Sequence, residues 1–185
     1  MKRMVALFCV IFLLAGCGTG DGGMDRALNL RVKLQNTAFV FQAVITADYG
    51  DKTYSFTMDC KADKEGNVTF GVVQPESIAG ITGKVSQGSG KLTFDDQVLA
   101  FDILADDLIS PVSGPWVLVK TLRSGYLTSC GEEGGALRLA VDDSYENDAL
   151  HLDIWLDEQD LPQRCEVLWQ GRRLLSMEVK NFQYL

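Results

Sequence analysis

From Tyr54 onward, apolar side chains return at every second position. Tyr54, Phe56, Met58 and Cys60 alternate with Ser55, Thr57 and Asp59, and Val68, Phe70 and Val72 follow. The same spacing recurs in Leu99, Phe101 and Ile103, in Leu137, Leu139 and Val141, in Leu150, Leu152, Ile154 and Leu156, and in Leu175, Met177 and Val179. Side chains two residues apart share one face of a β-strand, so each run predicts a strand with one covered and one wet face. The connections are short and polar: Asp48 to Asp51, Asp63 to Asn67, Ser86 to Gly90, Asp95-Asp96 and Gln170-Gly171. Such lengths suit antiparallel hairpins, whereas parallel strands need long crossovers. The pattern implies roughly ten strands, and a sheet of that size curls or splits.

Two segments break the rhythm. In Ser110 to Gly125, Ser113 is placed to cap a helix, Pro115 suits its first turn and Gly125 its end. Trp116, Val119 and Leu122 then fall on one helical face. In Asp25 to Asn36, Leu28, Leu30, Val32 and Leu34 alternate as in a strand, while the Leu, Arg, Lys and Gln content favours a helix. The two signals conflict, and the family resemblance given below tips the expectation to a helix.

The opening residues carry a different message. Lys2 and Arg3 precede an uncharged apolar run from Met4 to Ala15. As a helix this run is roughly 18 Å long, short of the ~30 Å core of a bilayer. It reads as an export signal over residues 1–16. Leu14-Ala15-Gly16-Cys17 resembles a bacterial lipobox, in which the cysteine sulfur receives diacylglycerol and the signal is removed before it. Cys17 is therefore the expected lipidation site, and acylation at two points anchors stably. Residues 17–23, rich in glycine, are expected to form a tether spanning about 13 Å, with one domain over residues 24–185. The expected location is the extracytoplasmic face of a membrane.

Charge narrows the partners. The whole chain carries −8, and without Lys2 and Arg3 it carries −10. That opposes nucleic acid, which needs a positive footprint. Cys60, Cys130 and Cys165 lack C-x-x-C spacing, which leaves zinc and redox roles without support and both a disulfide and buried thiols open.

No catalytic constellation stands out. His151, the only histidine, is expected on the wet face of its strand, and no particular Ser or Cys is linked to it. Gly88-Ser89-Gly90-Lys91 departs from a phosphate loop, with Val85 where the first glycine belongs and Leu92 where Ser or Thr belongs. The doublets Asp95-Asp96, Asp106-Asp107 and Asp142-Asp143 do not extend into a calcium loop. No cofactor, metal site or enzymatic activity is expected.

The order of elements, together with Glu76 to Gly83, Leu92 to Asp96, Ser110 to Trp116 and Asp142 to Tyr145, resembles the LolA/LolB-like lipoprotein fold. Within it, the chain is similar to lipoproteins of endospore-forming bacteria related to the germination lipoprotein GerS. The resemblance implies a mainly β (α+β) domain, a strongly curved antiparallel half-barrel of about ten strands enclosing a central helix, with an N-terminal helix. Carriers of that family latch the helical lid with a strand arginine, and Ala38 to Lys61 contains none.

A curled sheet must cover its apolar concave face or bind something apolar with it. Two functions follow. One is a membrane-tethered protein holding a lipid or other hydrophobic ligand, with Phe41, Phe56, Phe70, Phe101, Trp116 and Leu122 as the lining. The other is an envelope scaffold or regulator with a solid core that binds another protein. A cavity beneath Trp116 separates them.

Overall fold

The computed structural model describes residues 21–50, 52–87, 89–94, 97–101, 104–105 and 108–185. The export signal and Cys17 lie outside the described residues, as does the Phe101 side chain. Helix α1 (Asp21–Asn36) is followed by β1 (Phe39–Asp48), β2 (Thr53–Ala62), β3 (Val68–Gln74), β4 (Thr82–Ser86), β5 (Ser89–Phe94) and β6 (Gln97–Phe101). The short strands β7 (Leu104–Ala105) and β8 (Leu108–Ile109) lead into α2 (Gly114–Ser124). Five strands close the chain: β9 (Tyr126–Glu133), β10 (Ala136–Asp142), β11 (His151–Leu156), β12 (Pro162–Trp169) and β13 (Arg172–Tyr184).

Eleven of these strands form one curved open sheet in the order β6-β5-β4-β3-β2-β1-β13-β12-β11-β10-β9, and β7 pairs with β8 separately. The arrangement is two meanders joined edge to edge, because the last strand returns to lie antiparallel against the first, pairing Ala43 with Val179 and Ile45 with Met177. The period-two pattern is realised directly. Along β1, Phe39, Phe41, Ala43, Ile45 and Ala47 are buried, and the residues between them are more exposed. Ten strand spacings of about 4.8 Å would span roughly 48 Å if flat, whereas two helices of about 10 Å cover less than half of that. One hydrophobic cluster nevertheless runs from Val85 on β4 to Leu139 on β10. Curvature brings the two halves of the sheet around the same helices. The eleven-stranded sheet agrees with the roughly ten strands expected, whereas Leu99, expected on a covered face, is exposed on the edge strand β6.

Helix α1 resolves the conflict in its sequence. Ala27, Leu30 and Leu34 face the sheet, while Leu28 and Val32 face outward. The strand-like alternation is thus divided between two sides of a helix. The helix starts at Asp21, so the expected tether gives up its last three residues to the first helical turn. Close approach explains this. A Cβ at Gly23 would lie 3.2 Å from Leu137 Cδ1 and 3.3 Å from Cys130 Sγ. Glycine lets the first turn settle on β9 and β10.

Helix α2 is buried nearly all round, beyond the single stripe of Trp116, Val119 and Leu122. Val117, Leu118 and Thr121 are also enclosed, as expected of a helix surrounded by core. Its ends differ from the expectation in mechanism. Ser113 sits at the N-cap without a side-chain capping bond, and Gly125 is extended rather than left-handed. What Gly125 supplies is space, since a Cβ there would lie 2.7 Å from both the Thr121 carbonyl oxygen and Val141 Cγ1.

Candidate functional site: the helix-filled interior

Five of the six residues expected to line a ligand cavity have described side chains, and all five belong to one hydrophobic cluster. Phe41, Phe56, Phe70, Trp116 and Leu122 are 4–7% exposed. They are drawn from β1, β2, β3 and α2, so curvature does bring them to one interior. Phe70 lies directly opposite Gly83 and its ring covers that glycine, for a Cβ at Gly83 would fall 2.5 Å from Phe70 Cζ. The missing side chain on β4 is filled by the aromatic ring on β3.

Among the described residues, the space on the inner, helix-facing side of these side chains is small or polar. Between α1, α2 and strands β9 and β10, a cavity bounded by Ala27, Leu122, Leu139 and Val141 measures about 10 Å³. That is at the lower limit for holding one water molecule, about 10–15 Å³. Trp116 does border a larger cleft of about 390 Å³. The rest of that lining is polar or glycine, including Glu65, Asn67, Lys120 and Arg123, and it opens at the rim where α2 meets the β2–β3 turn. It is unsuited to an acyl chain.

The helices are fastened by arginines that the strand-based expectation missed. Arg31 of α1 donates to the carbonyl oxygens of Leu122 (3.1 Å) and Gly125 (2.7 Å) at the end of α2. Arg123 of α2 answers by donating to the Leu34 carbonyl near the end of α1 and to the Lys64 backbone carbonyl in the β2–β3 turn. Gln35 adds a bond to the Arg123 carbonyl at 2.7 Å. Helix C-termini leave carbonyls without intrahelical partners, and a cation there also meets the negative end of the helix dipole. Arg123 was legible as a basic residue in the last turn of its helix, whereas Arg31 lies mid-helix and meets the end of α2 only through packing. Burial lowers the Arg31 guanidinium from its ordinary pKa. Farther along α1, Arg26 bonds Asp160 at 2.6 Å and Glu132 at 2.8 Å, tying the helix to both hairpins beside it. The Asp160 hydrogen bond, with the neighbouring carboxylate charges, raises the Arg26 guanidinium against the opposing effect of desolvation.

Two hydroxyls remain unsatisfied inside. Ser113 Oγ and Thr121 Oγ1 are buried with no hydrogen-bond partner among the described residues. Cys60 and Cys165 are buried free thiols whose pKa values burial pushes up, and Cys130 is a half-buried free thiol. His151, on the outer face, lies 2.7 Å from Asp142 and 3.5 Å from Asp153, and Arg138 holds Asp153 at 2.7 Å. No cysteine or serine approaches it in the described hydrogen bonds. Among the described residues there is no group of three metal-ligating side chains, and no helix is long and apolar enough to cross a membrane.

No protein-family model and no curated protein matches the sequence. Solved structures with a similar chain course include three bacterial proteins. A conserved protein from Thermus thermophilus has 12% identity and a TM-score of 0.49, covering 88% of this chain and 87% of its own. A LolA superfamily protein from Nitrosomonas europaea has 7% identity and a TM-score of 0.45, with 90% and 94% covered. The lipoprotein LppX of Mycobacterium tuberculosis has 10% identity and a TM-score of 0.43, with 86% and 92% covered.

Proposed function

We propose that this chain is a non-enzymatic extracytoplasmic lipoprotein, anchored through Cys17, that recognises another component of the envelope at its surface. The carrying observation is that the interior is filled among the described residues: α2 is enclosed, Trp116 is buried, and the cavity between the helices and β9–β10 holds at most about one water. In this reading the half-barrel wall and its two helices are one solid core. A GerS-like regulatory role is of this kind.

A second reading keeps a hydrophobic ligand in the interior. It is favoured by the orphan hydroxyls of Ser113 and Thr121, which a ligand's polar group could satisfy. Phe41, Phe56, Phe70, Phe101, Trp116 and Leu122 then line the site after α2 moves. Mass spectrometry of organic extracts from the purified full chain separates the readings. The surface reading predicts no stoichiometric lipid apart from the covalent anchor. One non-covalent lipid per chain would overturn it in favour of the second.

A further inference from the structure

A roomier hollow than either of these lies on the other side of the sheet. A groove of about 960 Å³ crosses the outer face of strands β1 to β5 and the end of β13. Its floor is set by register. Val40 pairs with Lys61, Lys61 with Thr69, Thr69 with Lys84, and Lys84 with Lys91, so these residues form one row across five strands. The neighbouring row is Gln42, Asp59, Gly71, Thr82 and Thr93. Adjacent positions in a row are about 4.8 Å apart along the sheet.

Three features distinguish this groove from an ordinary wet face. First, it gathers three lysines and one carboxylate in a chain whose net charge is −8. Lys61, Lys84 and Lys91 have no ion-pair partner among the described residues. Asp59 accepts a bond from Gln42 at 2.9 Å, and Asp63, bonded to Asn67 at 2.7 and 2.8 Å, attracts Lys84 by charge but lies beyond ion-pair distance of it. Second, Lys84 and Lys91 lie directly opposite each other, an arrangement that repels unless an anion stands between them. Third, the surface is hollowed. A Cβ at Gly71 would meet only Thr82 Cγ2, at 3.9 Å, and an irregularity opposite Val40 and Gln42 puts Asn181, at φ 54°, into the lining. Bulges of this kind re-aim side chains.

We infer that this groove binds an anion carrying several phosphate groups, one held between Lys84 and Lys91 and another reaching Lys61. Lysine is a point-charge partner for phosphate, and Thr69, Thr82 and Thr93 add hydroxyl donors. An acidic peptide fits less well, because the lining offers no exposed aromatic anchor; Phe41 and Phe70 are both buried. A bilayer also fits less well. The start of α1 packs on β9 and β10, seven strands from β4, and on the inner face.

The inference rests on surface recognition, and its test is separable from the lipid extraction described above. The probe is inorganic tripolyphosphate, titrated into the full chain in detergent at low salt, with Lys84→Gln/Lys91→Gln and the remote Lys33→Gln as comparisons. The expected result is binding to the parent and to Lys33→Gln, weakened about tenfold or more in the double variant, since hydrogen bonds to charged groups are the stronger kind. A thermal unfolding scan guards against misfolding. The double variant should melt no lower than the parent, having lost a repulsive pair, yet gain less from added tripolyphosphate. Equal binding by the parent and the folded double variant overturns the groove while leaving surface recognition in place. So does no binding at low salt, or lysine-dependent binding only to phosphatidylglycerol vesicles.

Discussion

Thr121→Val is the most informative single substitution. Thr121 is 1% exposed, and its hydroxyl has no partner among the described residues. A buried polar group left unsatisfied costs about 1–3 kcal/mol. Valine has nearly the same shape and a similar helix propensity, so neither packing nor the helix should suffer. The substitution is therefore expected to stabilise the fold by about 1 kcal/mol or more, raising the midpoint of thermal unfolding by roughly 2–4 °C for a domain of this size. Urea unfolding followed by tryptophan fluorescence gives the free energy, and an unchanged slope shows that the unfolded and folded states are otherwise comparable. A loss of 1 kcal/mol or more would refute the reasoning, because it would mean that the hydroxyl is partnered in the protein as purified. A buried water or a ligand in the interior would supply such a partner. Ser113→Ala, at a second orphan hydroxyl that makes no capping bond, should be neutral or stabilising for the same reason.

Further outcomes follow from individual contacts. Gly125→Ala should destabilise by about 1–3 kcal/mol in urea unfolding, because the new methyl overpacks against the Thr121 carbonyl and Val141. Arg31→Met should quicken hydrogen exchange in the last turn of α2, where it strips the Leu122 and Gly125 carbonyls of their donor. At Glu166, burial opposes the charged form, but hydrogen bonds and charge from Arg164 and Arg173 prevail and hold its pKa below the usual carboxylate value. A depressed folded-state pKa contributes stability above the unfolded value of about 4.3 that is lost as pH falls through the folded one. The parent should therefore lose its advantage over Glu166→Gln below that pH in urea titrations. Alkylation under native conditions should label Cys130 first, while Cys60 and Cys165, buried with raised thiol pKa values, react only on unfolding.

The strands were legible because period two is an unambiguous signal when one face is wet. The run from Leu150 to Leu156 and the polar turn at Asp63 to Asn67 correspond directly to β11 and the β2–β3 hairpin. Alternation misled where burial was decided by something else. Leu99 lies on an edge strand with little to cover it, and Leu28 and Val32 alternate with Leu30 and Leu34 yet occupy the outer side of α1. Caps and stops were read correctly in position but not in cause: Gly125 is required by close approach, which depends on Val141, far along the chain. The interior residues from β1, β2, β3 and α2 were recognisable as apolar, but whether they border a hollow or fill it depends on packing against residues from seven or more other elements. The outer groove was invisible for a similar reason. Lys84 and Lys91 sit on one hairpin but face each other only through its register, and Lys61, two strands away, joins their row only through the pairing of β2, β3 and β4.

The central claim is that α2 is a fixed part of the core and not a lid. Native-state hydrogen exchange on the full chain addresses it directly, by comparing the amides of Trp116 to Leu122 with those of β1 and β13 at the centre of the sheet. If the helix is core, both sets should exchange only through global unfolding, with the same free energy and the same dependence on denaturant. If the helix opens at markedly lower free energy while the central strands stay protected, α2 is mobile, and the solid-core account is contradicted.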